Sequence, residues 1–571
     1  MRLVGGVLLL AMLGLAGRLC RLHLGVSAPG FHPVVIKLAA RRGAIYDRNG
    51  RNNPLAVSLT FHQPFIDPLD LKPKHDKLAV AVLLKQRLNV ELDCVLVAFA
   101  ATNSRHQLLP VLVDDKVCKA IATNRNISGV GWEERFVRTY PQGRRLSGVI
   151  GFVKEDGEGG AGIEQQCNSY LKGIPGRIEG EKDGLQHEIP ERRTICVPPV
   201  DGASIHLTID NNIQYKVESE VQQVAQEFKA SAVWSLVEKV DTGEILAMAS
   251  WPDYDPNHYG ESGSMDWRNL PLCVRYEPGS TMKPFTVSAG LNENVITPAT
   301  RMDVGLGTWY FAGHMLHDHV EGVIDTAIAL SHSSNIFVAR VALMLGEKRE
   351  GAYLRGFGFG DRLGIDLPGE ERGTLRSGYW GDLALSRIGI GQGVAVTGVQ
   401  MLNAYCAIAN GGRLMRPYVI ARIVNAEGQE LLSNEPRVLA RPIRPEVAAQ
   451  VRSMLEGVTE DEGATGKRAQ VHGYTVAGKT GTAQMPENGH YSDSDYWASF
   501  VGFVPADHPV FGVLVCVERP RPQHMGGFVA APVFAHIAEA VAKYLEVPAT
   551  PESDPNAAGT RGGHEAPRGT P

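Results

Sequence analysis

This chain of 571 residues has no C-x-x-C pair. Its eight cysteines (Cys20, Cys94, Cys118, Cys167, Cys196, Cys273, Cys406 and Cys516) stand singly, several within apolar runs. That pattern argues against a zinc site or a disulfide framework and for buried thiols. Excess charge of one sign is also missing: 57 Lys and Arg against 62 Asp and Glu leave a formal charge of −5, so nothing marks a nucleic-acid partner. No internal repeat is visible, which excludes solenoids and propellers. A full-length membrane span is lacking too. Leu3 to Gly17 is apolar but holds only 15 residues before Arg18 and Arg21, against the roughly 20 a spanning helix needs. If those arginines snorkel, residues 1–26 reach across as an uncleaved single-pass signal anchor. The alternative, a cleaved signal peptide, lacks a small-residue cleavage site, although charges beyond the span fit the positive-inside rule poorly.

The length implies more than one domain, and 63 Gly with 34 Pro imply many turns. Residues 27–200 alternate short apolar runs with polar turns. Arg41–Gly50 reads as a strand closed by an Asn-Gly turn, Leu78–Val90 as a helix, and Gly159–Glu164 as a glycine turn leading into a helix through Leu171. A second module, 201–547, opens with a helix over Asn211–Phe228 and a hairpin of Ala232–Val240 with Glu244–Ser250. It closes with a hairpin of Trp497–Val504 with Val510–Glu518 and a helix over Val533–Leu545. Strands at both ends of the module predict a mostly antiparallel sheet flanked by helices, with a helical subdomain inserted between. The chain is thus expected to be multidomain α+β, and the Pro- and Gly-rich stretch 548–571 is expected to be disordered.

Chemistry concentrates in three short motifs of the second module. In Glu277-Pro-Gly-Ser-Thr-Met-Lys-Pro-Phe285, Pro284 is tolerable only in a first helical turn, so a helix must begin near Ser280. Ser280 and Lys283 then share one face, the hydroxyl beside an amine able to take its proton. Alone, the pair is a loose pattern that a capping serine and a surface lysine also satisfy. Ser333-Ser-Asn335 follows, where a polar turn opens an apolar helix, and then Lys479-Thr-Gly-Thr482 at the end of a β-rich run.

In this order the motifs resemble those of penicillin-binding proteins, the serine D,D-transpeptidases that share them with class A β-lactamases. The resemblance extends over Arg41 to about Leu545. Arg42-Gly43, Asp47–Gly50, Leu55-Ala56 and Gly162-Ile-Glu164 look like boxes of the class B non-catalytic domain, a pedestal of the dimerisation type. Leu207–Asp210, Asp241–Gly243, Gly389–Gly393 and Ala530–Phe534 look like transpeptidase landmarks, and the whole favours the division-type branch. The resemblance implies Ser280 as nucleophile on the penultimate D-Ala of a peptidoglycan stem peptide, with Lys283 as its base. Ser333 would relay a proton to the leaving D-alanine, Asn335 would hold the donor backbone, and Lys479 would face the terminal carboxylate with Thr480 and Thr482. Gly481 would leave room for a substrate strand, and the Ser280 and Thr482 N–H groups would form the oxyanion hole. It further implies β-lactam acylation of Ser280, a polytopic membrane glycosyltransferase and divisome proteins as partners, and an inner-membrane location with the catalytic domain outside. It calls for no cofactor and no metal.

Competing readings fail on local context. Gly473–Thr480 fits the P-loop pattern, but Gly481–Ser494 holds Pro486 and Asn488-Gly489 and predicts no helix to receive phosphate. His314, His317 and His319 form a histidine cluster with no pattern that completes a metal site, and read as a solvated turn. A β-lactamase would want a deacylating Glu-x-x-Leu-Asn motif, which is missing; a D,D-carboxypeptidase or a catalytically secondary scaffold is opposed by the class B boxes and the intact motif set.

Overall fold

The computed structural model describes residues 32–549 except 51, 71–76, 102–103, 125–126, 183–188 and 488, together with residues 12, 14, 15 and 18. The expected anchor thus lies outside the described residues apart from those four positions, and the expected tail from 550 onward lies outside them altogether. Among the described residues no helix is long and apolar enough to cross a membrane.

A five-stranded antiparallel sheet organises the second module. Its order is Ile245–Trp251, Ala232–Lys239, Phe511–Glu518, His490–Val504 and Ala477–Glu487. The three inner strands are buried along most of their length because both faces are covered, so their sequences run apolar instead of alternating. Side chains still alternate by face: Val233 and Val237 pack with Val217 and Phe534 of the flanking helices Asn211–Glu227 and Gly526–Tyr544. Trp234 and Leu236 turn the other way, into the helical subdomain with Phe285, Phe337 and Tyr405. Asp210 caps the first of these helices by accepting from Asn212 N at 2.9 Å. The C-terminal helix begins at Gly526, seven residues before the expected start, and carries Pro532 inside it. Packing against the sheet there outweighs the proline's local cost.

The first module is built on a hairpin-like pair, Pro54–Ile66 with Val130–Thr139. Helices Lys77–Leu88, Leu92–Ala100 and Asp115–Ala122 cover a core that includes Leu84, Phe99 and Ile121. The stretch expected as one helix through Leu171 is two short ones, Gly162–Gln166 and Asn168–Leu171, broken at Cys167. Short strand Ile45–Tyr46 pairs with Pro54–Ile66 on one side and, in parallel, with Ser204–Leu207 on the other. One sheet therefore runs from the first module into the second. Within the first module, Arg42 and Arg138 each donate to the fully buried Glu164 at 2.6 Å.

Candidate active site

The nucleophile turn is set by glycines. Gly279 adopts φ +54° and donates its N–H to the carbonyl of Gly391 at 3.1 Å. A Cβ on Gly391 would lie 2.1 Å from the Gly279 oxygen, so only glycine allows this approach. Gly279–Met282 forms a 3₁₀ turn, and the α-helix proper runs Lys283–Asn292 with Pro284 in its first turn, as the proline required. The Tyr405 hydroxyl donates to the Thr281 carbonyl at 2.9 Å and braces the turn from behind. Ser280 is part-exposed at the surface of this turn, while Lys283 is fully buried.

Lys283 Nζ donates to the Ser333 carbonyl at 2.5 Å and to Ser333 Oγ at 3.1 Å. Ser333 can offer both oxygens because its backbone is left-handed, φ +63°, a conformation costing about 1–3 kcal/mol that clusters at functional sites. Burial brings the Lys283 amine down to about 7, with the charge of Asp318 pulling the other way. Lys479 is also driven well down, first by burial and then by the charge of Lys283. Two ammoniums in one dry site repel, so the pair favours at most one charge.

Asp318 organises the second motif. Its carboxylate accepts from Ser334 Oγ at 2.5 Å, Asn335 N at 3.0 Å and Ile336 N at 3.2 Å. Ser334 in turn caps helix Asn335–Leu345 by accepting from Phe337 N at 3.1 Å. Asn335 Nδ2 donates to the His317 carbonyl at 2.7 Å. Sequence reasoning passed over Asp318 because it lies 16 residues or more from the groups it binds, with no local signal.

Lys479, Thr480, Gly481 and Thr482 sit on the sheet's edge strand, which continues to Glu487. A strand follows Lys479 where a P-loop would need a helix. Thr480 Oγ1 receives a hydrogen bond from Lys479 Nζ at 3.4 Å and donates to Thr465 Oγ1 at 2.9 Å. Thr482 Oγ1 accepts from Gly526 N at 3.0 Å. The space beside Gly481 is taken from within: a Cβ there would meet Ser499 Oγ at 2.3 Å and the Pro278 carbonyl at 3.1 Å. The glycine lets the edge strand press against the Ser280 turn, a reason different from the room for substrate that was expected.

Between strand and helical subdomain opens a cleft of about 870 Å³ whose walls include Ser280, Ser333, Asn335, Thr480 and Thr482. All three motifs thus converge on one cleft, with Lys283 and Lys479 beneath it. His314, His317 and His319 line its wall, so the histidine cluster is part of the site and not a free surface turn. Among the described residues no group of His, Cys, Asp and Glu is arranged to hold a metal ion.

The penicillin-binding protein transpeptidase domain model matches residues 234–539, and the penicillin-binding protein dimerisation domain model matches 37–207. The chain belongs to the class B penicillin-binding proteins. Among similar penicillin-binding proteins, stage V sporulation protein D of Bacillus subtilis is 32% identical, over 87% of this chain and 77% of that protein. The probable peptidoglycan D,D-transpeptidase FtsI of Caulobacter vibrioides is 30% identical, over 89% and 82%. A crystal structure of penicillin-binding protein 3 from Mycobacterium tuberculosis complexed with aztreonam superposes with TM-score 0.71 at 28% identity, over 90% of this chain and 98% of that one. The expected two-domain penicillin-binding-protein architecture of mixed α and β structure is therefore the one observed.

Proposed function

We propose that this chain is a peptidoglycan D,D-transpeptidase that cross-links stem peptides through an acyl-enzyme on Ser280. The observation that carries the reading is Lys283: a buried amine, about half neutral near pH 7, at the foot of the cleft that Ser280 lines. In this reading Ser280 Oγ attacks the carbonyl of the penultimate D-Ala and its proton passes to Lys283. The backbone N–H groups of Ser280 and Thr482 hold the oxyanion. The C–N bond then breaks, and Ser333 relays the proton from Lys283 to the departing D-alanine. An amine of a neighbouring stem peptide attacks the ester, restores Ser280 and forms the cross-link. Lys479 regains its charge as the donor's terminal carboxylate arrives, assisted by the Thr480 and Thr482 hydroxyls, while Asn335 holds the donor backbone.

The surrounding assignments follow the family. Residues 1–26 act as a single-pass inner-membrane anchor that holds modules 27–200 and 201–547 outside the membrane, with 548–571 as a tail. A polytopic glycosyltransferase makes the glycan strand, and the setting is septal, among divisome proteins. Fluorescent penicillin tests the core of the reading. The full chain in detergent should take one covalent label that persists for many minutes after free drug is removed, and Ser280→Ala should take none. Labelling that survives Ser280→Ala sinks the nucleophile assignment; rapid loss of label from the unaltered chain points to hydrolysis in place of cross-linking.

A further inference from the structure

We infer that Arg387 forms a carboxylate-binding subsite on the rim of the Ser280 cleft, selecting acyl donors that carry a free side-chain carboxylate. The inference rests on the transpeptidase reading above. Arg387 lies in the last turn of helix Gly381–Ile388, four residues before the Gly391 on which the Ser280 turn packs. Its side chain lines the same cleft as Ser280 and Asn335. It is half-buried, and its hydrogen bond is long: Nη2 to the Met315 carbonyl at 3.4 Å. Among the described residues it forms no ion pair. A guanidinium presents five N–H donors in a planar fork, so most of this one's capacity is unspent.

The surroundings do not supply the missing anion. Among the described residues Glu277 is the one carboxylate on the cleft walls, and both its oxygens are engaged, accepting from Gly393 N and the Tyr491 hydroxyl at 3.0 Å each. Burial raises the Glu277 carboxyl, which weakens it further as a counter-charge. Partial burial pulls Arg387 the opposite way, below its ordinary range, with only Tyr491 opposing. An under-solvated cation with free donors, at the mouth of a substrate cleft, fits a bidentate carboxylate. Stem peptides built on an acidic diamino acid such as diaminopimelate carry one at the end of the side chain that precedes the D-Ala-D-Ala pair; lysine-type stems do not.

Carbenicillin is benzylpenicillin with one carboxylate added to its side chain, so the pair isolates this contact. Acylation rate constants for both drugs are to be measured on the full chain, on Arg387→Gln and on Arg387→Lys. The carbenicillin-to-benzylpenicillin ratio should fall by about tenfold or more in Arg387→Gln, the size of a lost charge-assisted hydrogen bond, and recover in part in Arg387→Lys. In parallel, stem pentapeptides with the diaminopimelate carboxylate free or amidated compete against fluorescent penicillin. The unaltered chain should prefer the free acid, and Arg387→Gln should lose that preference. An unchanged drug ratio, including both rates falling together as a merely structural arginine would cause, overturns the subsite. Equal competition by the two peptides on the unaltered chain overturns it for the natural donor. Acylation of the unaltered chain by benzylpenicillin but not by carbenicillin overturns the subsite alone, whereas failure of both drugs to acylate it removes the transpeptidase reading as well.

Discussion

At the scale of single residues, the site turns on how a lysine is kept able to accept a proton. The neutral amine is the base, and its fraction grows as pH rises through about 7, the value burial imposes on Lys283. Penicillin acylation should therefore climb between pH 6 and pH 8 and level off above. Lys283→Arg, which cannot lose its proton, should slow acylation by about 10²–10⁴-fold, read by stopped labelling at fixed pH. Asp318 works against burial by favouring the charged lysine. Asp318→Asn should thus move the rising limb of the pH profile to lower pH, because removing the negative charge lowers Lys283 further. The same variant weakens the acceptor shared by Ser334, Asn335 N and Ile336 N, so its melting temperature should fall as well. A profile that stays in place while only stability drops would confine Asp318 to a structural role.

Elements meet at the site through close backbone approach. The edge strand carrying Lys479 reaches the Ser280 turn only because nothing projects from Gly481 toward Ser499 and Pro278. Gly481→Ala inserts a methyl group into occupied space, and should cost about 1–3 kcal/mol of stability through strand displacement. Displacing the strand moves Thr482 away from Ser280, so acylation should fall more than stability alone explains. Denaturant titration beside penicillin labelling separates the two. A variant with full labelling and unchanged stability would show that the strand tolerates the shift. The left-handed Ser333 is the matching device on the other wall, since an ordinary backbone there would turn one of its oxygens from Lys283.

Across the whole molecule, the two modules share a sheet, and a buried charge cluster holds the first module together. Glu164 is fully buried and neutralises Arg42 from the start of the first module and Arg138 from its long strand pair. Further contacts tie the modules together: Asn257 exchanges hydrogen bonds with the Tyr140 backbone at 3.0 Å each way, and Phe152 stacks on Tyr259 at 4.1 Å. Glu164→Gln leaves two buried guanidiniums without their counter-charge and should destabilise the first module by about 3–5 kcal/mol. Calorimetry should show an early transition, while chains folded in the second module still label at Ser280. A single unshifted transition would mean that the cluster is hydrated and energetically idle.

Much of this protein could be read directly from its residues, because the deciding signals are local. Pro284 dictates where the nucleophile helix begins, the apolar runs at Ala232 and Phe511 call for doubly covered strands, and three short motifs in order name the chemistry. Boxes such as Arg42-Gly43 and Gly162-Ile-Glu164 were visible too, but not that they close on each other over more than a hundred residues. Long-range pairing had to come from the fold. It alone brings Asp318 beneath the Ser333 turn, fills the space beside Gly481, seats the histidines on the cleft wall and buries two lysines together. The reason is physical: propensity, capping and proline sterics act within a few residues, whereas desolvation and charge coupling depend on which distant groups share one water-poor space.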